Sequence, residues 1–69
     1  MPITMVGKGE TVTIKRIVGD DKVRQHLAEL GFVVDAVVKV VNKVEGSVIL
    51  QVHQSRVALN KDMANRIMV

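Results

Sequence analysis

Six of the eleven residues from Val33 to Lys43 are valine, in the order Val33-Val34-Asp35-Ala36-Val37-Val38-Lys39-Val40-Val41-Asn42-Lys43. No other stretch of the chain restricts its backbone as strongly. Two heavy atoms on each valine Cβ limit χ1 in a helix and suit a pleated surface, so the run favours an extended strand. Side chains alternate between faces along a strand. That sets Ala36, Val38 and Val40 on one face and Val37, Lys39, Val41 and Lys43 on the other. The lysines mark the second face as the one toward solvent, which makes Val37 and Val41 exposed valines on a basic surface.

A strand this apolar on one side needs neighbours. Glu45-Gly46-Ser47 turns the chain into Val48-Ile49-Leu50-Gln51-Val52-His53, an antiparallel hairpin with Val48, Leu50 and Val52 inward and Ile49, Gln51 and His53 outward. Upstream, Gly7-Lys8-Gly9-Glu10 is a turn signal, and Thr11 to Lys15 alternate polar and apolar as a first strand. Ile17 breaks that alternation, so a bulge or strand end is expected near Arg16. Downstream, the pattern predicts a short strand over Arg56 to Leu59, one helical turn over Asn60 to Ala64, and a terminal strand over Ile67 to Val69.

Between the first strand and the valine run lies a short amphipathic helix. Asp20 is a good N-cap, Asp21 adds negative charge to the first turn, and Val23, Leu27 and Leu30 repeat at i, i+4, i+7. Asp20 and Arg24 are spaced for an ion pair worth a few tenths of a kcal/mol. Arg24, Gln25, Ala28 and Glu29 point away from the apolar stripe, and His26 falls on its flank. Gly31 fits the C′ position, where a left-handed backbone costs glycine nothing. Phe32, the lone aromatic of the chain, is then C″ and packs back on Leu27 in a Schellman ending.

The 69 residues have room for one domain, 1–69, whose first eight residues are expected to fray. A chain of this length buries only about 60% of its unfolded surface. With no cysteine there is no disulfide to brace it, and the 48% of hydrophobic residues must do so. Five short antiparallel strands with one inserted short helix predict a mainly β fold that curls into a partly open barrel. Neither a leader pattern nor an apolar run near the ~20 residues of a spanning helix is present, so a soluble cytoplasmic protein without membrane insertion is expected.

Catalytic chemistry finds little footing. Gly7-Lys8-Gly9 lacks the earlier glycine and the following serine or threonine of a phosphate loop, and a strand rather than a helix follows it. Ser47 and Ser55 sit in or beside turns, with no triad visible, so no enzyme is expected. His26 and His53 are the only candidate metal ligands beyond carboxylates such as Glu29. They lie on different elements without helix-face spacing, so no ligand set for ferrous iron or another divalent metal is supported, and no cofactor is expected. A net charge of +3 on a small barrel raises nucleic-acid binding, but single-strand readers stack bases on aromatic platforms and Phe32 is already committed to a helix end. What remains is a protein-interaction surface: Val37, Lys39, Val41 and Lys43, continued across the hairpin by Ile49, apolar with a basic rim.

Several strings occur in an order that resembles one family. "RQHLAELGF", the V-x-V of Val38 and Val40, the Gly46 turn, "SRVAL" over 55–59 and "MANRIMV" at the end are similar to the ferrous iron transport protein A family (FeoA), from about Gly9 to Val69. The resemblance implies a small SH3-like barrel with an inserted helix and no catalytic residues. It also implies a cytoplasmic accessory role in bacterial ferrous iron uptake, contacting the membrane transporter ferrous iron transport protein B at its cytosolic GTPase region; apart from the resemblance, the sequence leaves weak self-association open. The same domain ends iron- or manganese-responsive repressors of the diphtheria toxin repressor type, so a metal-responsive regulatory module is the alternative, with a small basic nucleic-acid-binding barrel behind it. One departure stands out. Many members carry Pro-Gly after the LG-hydrophobic motif, where this chain has Val34-Asp35.

Overall fold

A computed structural model describes residues 1–69. Strands β1 (Thr11–Thr13), β3 (Val37–Val44), β4 (Ser47–Val52) and β5 (Ser55–Asn60) form one antiparallel sheet in the order β1-β3-β4-β5. Strands β2 (Arg16–Ile17) and β6 (Ile67–Met68) pair antiparallel as a second, two-stranded sheet. Helix α1 (Asp21–Glu29) lies between β2 and β3, and a single turn, α2 (Lys61–Ala64), links β5 to β6. The expected five-stranded, partly open barrel is thus six strands in two sheets, with no ring of hydrogen bonds closing them. The extra strand comes from the first predicted one, which divides. After Thr13 the buried Ile14 and the exposed Lys15 leave the larger sheet, and the Lys15 N–H bonds to the Met68 carbonyl at 2.8 Å. The break foreseen near Arg16 falls just ahead of it.

Helix α1 begins and ends as its sequence dictates. The Asp20 carboxylate accepts from the Val23 N–H at 2.9 Å, satisfying one of the orphan donors of the first turn. With Asp20 so engaged, the expected Asp20–Arg24 pair does not form. Arg24 instead donates to Asp21 at 2.7 Å, one residue closer. At the other end Gly31 takes φ 101°. Its N–H reaches the Ala28 carbonyl, and the Phe32 N–H reaches the Leu27 carbonyl, both at 2.9 Å. These are the two bonds of a Schellman motif. Phe32 and Leu27 are both fully buried.

The valine run does not begin as a strand. Val33 to Ala36 form a β-turn, closed by the Ala36 N–H on the Val33 carbonyl at 3.1 Å, with Asp35 at φ 73°. A positive φ at the third position alone is the type II pattern. The chain leaves α1 in a new direction and must reverse before it can pair, which uses up four residues that propensity alone would extend. The turn is tied to the end of β1 by two bonds, Asp35 N–H to the Ile14 carbonyl at 2.8 Å and Ile14 N–H to the Ala36 carbonyl at 2.9 Å.

The core comprises thirteen buried side chains, all apolar. Val38, Val40, Val48, Leu50, Val52 and Leu59 come from the inner face of the larger sheet. Ile14, Leu27, Phe32, Ala64 and Ile67 cover that face, and so do Ile3 and Val6. The last two correct the expectation of a fraying start. Ile3–Met5 form a 3-10 turn, in which residues three apart share a side, so Ile3 and Val6 point inward together. Pro2 bridges Met68, and the Met1 ammonium donates to the Val69 carbonyl at 2.9 Å, so both ends of the chain meet.

Candidate interaction surface

One face of the larger sheet covers the core; the other is bare. Its composition follows from strand register, since directly opposed residues share a face. Thr11, Lys39, Gln51 and Arg56 form a continuous row across all four strands. Val37 lies beside them opposite Thr13, and is 58% exposed. Ile49, half-buried, sits on the same face between Asn42 and Ala58.

A bulge alters the expected membership of this face. Val40 pairs with Leu50 and Asn42 with Ile49, so Val41 has no partner in β4. Beyond it the alternation inverts. Asn42 and Val44 join the outer face, while Lys43 is set opposite the buried Val48. Lys43 therefore does not share a face with Val37 and Lys39. Its Nζ donates to the Thr4 carbonyl at 3.0 Å, tying the sheet to the N-terminal 3-10 turn. The physical reason can be read in the sequence afterward: unbroken alternation would have carried Asn42 into the core beside Val38 and Val40, an amide with no partner there. The bulge turns Asn42 outward, and its Oδ1 accepts from the Lys43 N–H at 2.9 Å.

Charge on the outer face is of one sign. Lys39 and Arg56 are its only ionised side chains, and neither has a carboxylate partner, because the chain's one salt bridge, Arg24–Asp21, lies on α1. Arg56 is absent from the surface expected from sequence, which assigns β5 no facing. The signal that could have placed it is alternation with Val57 and Leu59, which pair with Leu50 and Val48.

The histidines are exposed and lie on separate elements. His26 is on α1. His53 was expected on the outer face of β4, but that strand ends at Val52, and His53 occupies the two-residue turn into β5 with φ 55°. Histidine tolerates this region better than most side chains. There it packs against the helix exit, 3.3 Å from where a Cβ on Gly31 would stand. No three metal-ligating side chains come together anywhere in the molecule, and no pocket opens in its surface. No helix is long and apolar enough to cross a membrane. An exposed, half-apolar, cationic sheet face of this kind can bind a macromolecule but offers no enclosed site for a small one.

Comparison with known proteins gives this geometry a context. No curated protein matches the chain. Among solved structures, a crystal structure of an iron uptake regulatory protein, FeoA, superposes with a TM-score of 0.90 at 26% identity, over 97% of this chain and 91% of that one. FeoA of Stenotrophomonas maltophilia complexed with zinc, an SH3-domain protein, gives a TM-score of 0.85 at 27% identity, over 99% and 87%. A manganese-dependent transcriptional repressor shares the fold with a TM-score of 0.88 at 23% identity, the match covering 97% of this chain but 39% of the repressor. The fold is accordingly SH3-like. The FeoA domain model matches residues 1–69, the whole of the described chain. With that match and these superpositions, the chain belongs to the FeoA family, non-enzymatic accessory domains associated with ferrous iron transport.

Proposed function

We propose that this protein is a cytoplasmic accessory factor of bacterial ferrous iron uptake, which binds the membrane transporter ferrous iron transport protein B and modulates its GTP hydrolysis or transport. The observation that carries the reading is the FeoA match over residues 1–69. The S. maltophilia relative is described as a candidate ferrous iron transport activating factor, which agrees with it. The outer sheet face supplies a surface suited to the role: Val37 and the half-buried Ile49 give apolar area, and Lys39 with Arg56 gives unpaired positive charge. Titration of the chain against the full-length transporter in detergent tests the proposal. Micromolar binding that weakens with salt is expected; no binding at low salt, together with normal iron uptake after deletion of the gene, would refute it.

A metal-responsive role is the second reading, favoured by the zinc found with the S. maltophilia relative. His26 and His53 are the side chains it would use. Calorimetry with zinc or ferrous iron separates the two: binding tighter than millimolar that disappears when both histidines become alanine supports metal sensing, and its absence removes it.

A further inference from the structure

The larger sheet has two outer strands, and they are not alike. β1 is three residues long, whereas β5 runs for six and has no neighbour on its far side. A sheet edge of this length offers a row of unpaired N–H and C=O groups, which folded proteins usually blunt with proline, lysine, a bulge or a very short strand. β5 has none of these. Its sequence, Ser55-Arg56-Val57-Ala58-Leu59-Asn60, contains no proline or lysine, and its six pairs with β4 run without a register break.

The hairpin geometry fixes which groups face outward. Val52 and Ser55 flank a two-residue turn, and such flanking residues exchange hydrogen bonds with each other. Hydrogen-bonded pairs alternate along an antiparallel ladder, so Ser55, Val57 and Leu59 bond to β4, and the N–H and C=O groups of Arg56 and Ala58 point away from it. The side chains of Arg56 and Ala58 are exposed on the same outer face that carries Lys39 and no carboxylate.

We propose that the β5 edge takes up an acidic, extended segment of the partner protein, which adds as a fifth strand to the larger sheet with its carboxylates over Arg56 and toward Lys39. Strand addition draws affinity from main-chain bonds and specificity from alternate side chains, and here the outward main-chain groups and the unpaired Arg56 lie on one border, with Lys39 two strands in on the same face. Charge argues against a second copy as the occupant. In a two-fold pairing of β5 with itself that keeps faces matched, the two Arg56 side chains would lie on one face a strand apart with nothing to neutralise them. This inference rests on the adaptor reading above and gives it a location.

The test is hydrogen exchange of the full chain, alone and bound to the full-length transporter in detergent, resolved to single amides. The Arg56 and Ala58 amides, open to water in the free chain, are expected to slow by about tenfold or more in the complex. Ala58→Pro, which removes an outward N–H and leaves the β4 ladder intact, should weaken binding by about tenfold. Arg56→Glu, which leaves every backbone group in place, should weaken it as well and flatten its salt dependence. Binding without protection at Arg56 and Ala58 overturns the edge inference and leaves the adaptor reading standing. No binding by the unaltered chain overturns both. Protection of the same amides in the isolated chain that grows with its concentration overturns the acidic occupant in favour of self-pairing.

Discussion

Replacing Val34 by proline and Asp35 by glycine should each stabilise the protein. The turn over Val33 to Ala36 needs φ near −60° at Val34 and a positive φ at Asp35, observed at 73°. Proline is built for the first of these positions. It also deletes an N–H, but the Val34 N–H donates to no carbonyl, unlike those of Val33, Asp35 and Ala36. Val34 is 55% exposed, so truncating its packing costs little. The gain from lowering the entropy of the unfolded chain is then about 0.4 to 1 kcal/mol. At Asp35, glycine relieves a left-handed conformation that costs an ordinary L-residue about 1 to 2 kcal/mol and aspartate somewhat less, against about 0.5 to 1 kcal/mol for glycine's looser unfolded state. The net gain is a few tenths of a kcal/mol. Asp35→Ala, which keeps the strain and loses the polar side chain suited to it, should cost about 1 kcal/mol. Urea denaturation with thermal melts measures all three. A domain of this size shifts by about 4 to 8 °C per kcal/mol, so the proline variant should melt a few degrees higher. A proline variant destabilised by more than about 1 kcal/mol would show that the turn is not type II and that the reading of this segment is wrong.

Three further substitutions test other parts of the structure. Phe32→Ala removes a fully buried ring from the helix seal and should cost about 3 to 5 kcal/mol. Against a total near 3 to 10 kcal/mol for a chain of this length, circular dichroism should find it largely unfolded or melting far lower. Lys43→Met keeps an unbranched side chain at this position and removes the bond to the Thr4 carbonyl; a loss of up to about 1 kcal/mol is expected, with faster exchange of the amides of the 3-10 turn, and no change in either would show that the bond contributes nothing. Val37→Asp should leave stability within about 0.5 kcal/mol, as for other exposed positions, while weakening transporter binding in the same titration; unfolding would invert the facing of β3.

What could be read from the chain alone was whatever local chemistry decides. The helix between Asp20 and Gly31 is specified by its own cap and stop, and the turn at Gly46 and the helical turn after β5 are equally self-contained. The inward set Val48, Leu50 and Val52 follows from simple alternation in a strand with no break. The misreadings concern features set by distant neighbours. Valine propensity at Val33 and Val34 gives way to the need to meet Ile14, and the parity of Lys43 depends on a bulge whose purpose is to keep Asn42 out of the core. Fraying of the first residues is the sequence expectation, yet Ile3 and Val6 are buried in the same core cluster as side chains from both sheets and from α1. The candidate surface was legible at Val37, Lys39 and Ile49. Arg56 was not, although its alternation with the inward Val57 and Leu59 is the one local signal that sets it on the outer face.

The meeting of the two chain ends also bears on the order in which the molecule assembles. β3, β4 and β5 form a meander joined by two-residue turns, so their pairing closes only short loops, whereas β2 finds β6 from the opposite end of the sequence and Met1 finds Val69. Loop-closure entropy favours the meander as the early nucleus and leaves the terminal clasp as a late step. Destabilising changes in β2 or β6 should then speed unfolding and leave the folding rate almost untouched, while equal damage to the β3–β4 turn slows folding itself, a contrast that stopped-flow chevrons resolve.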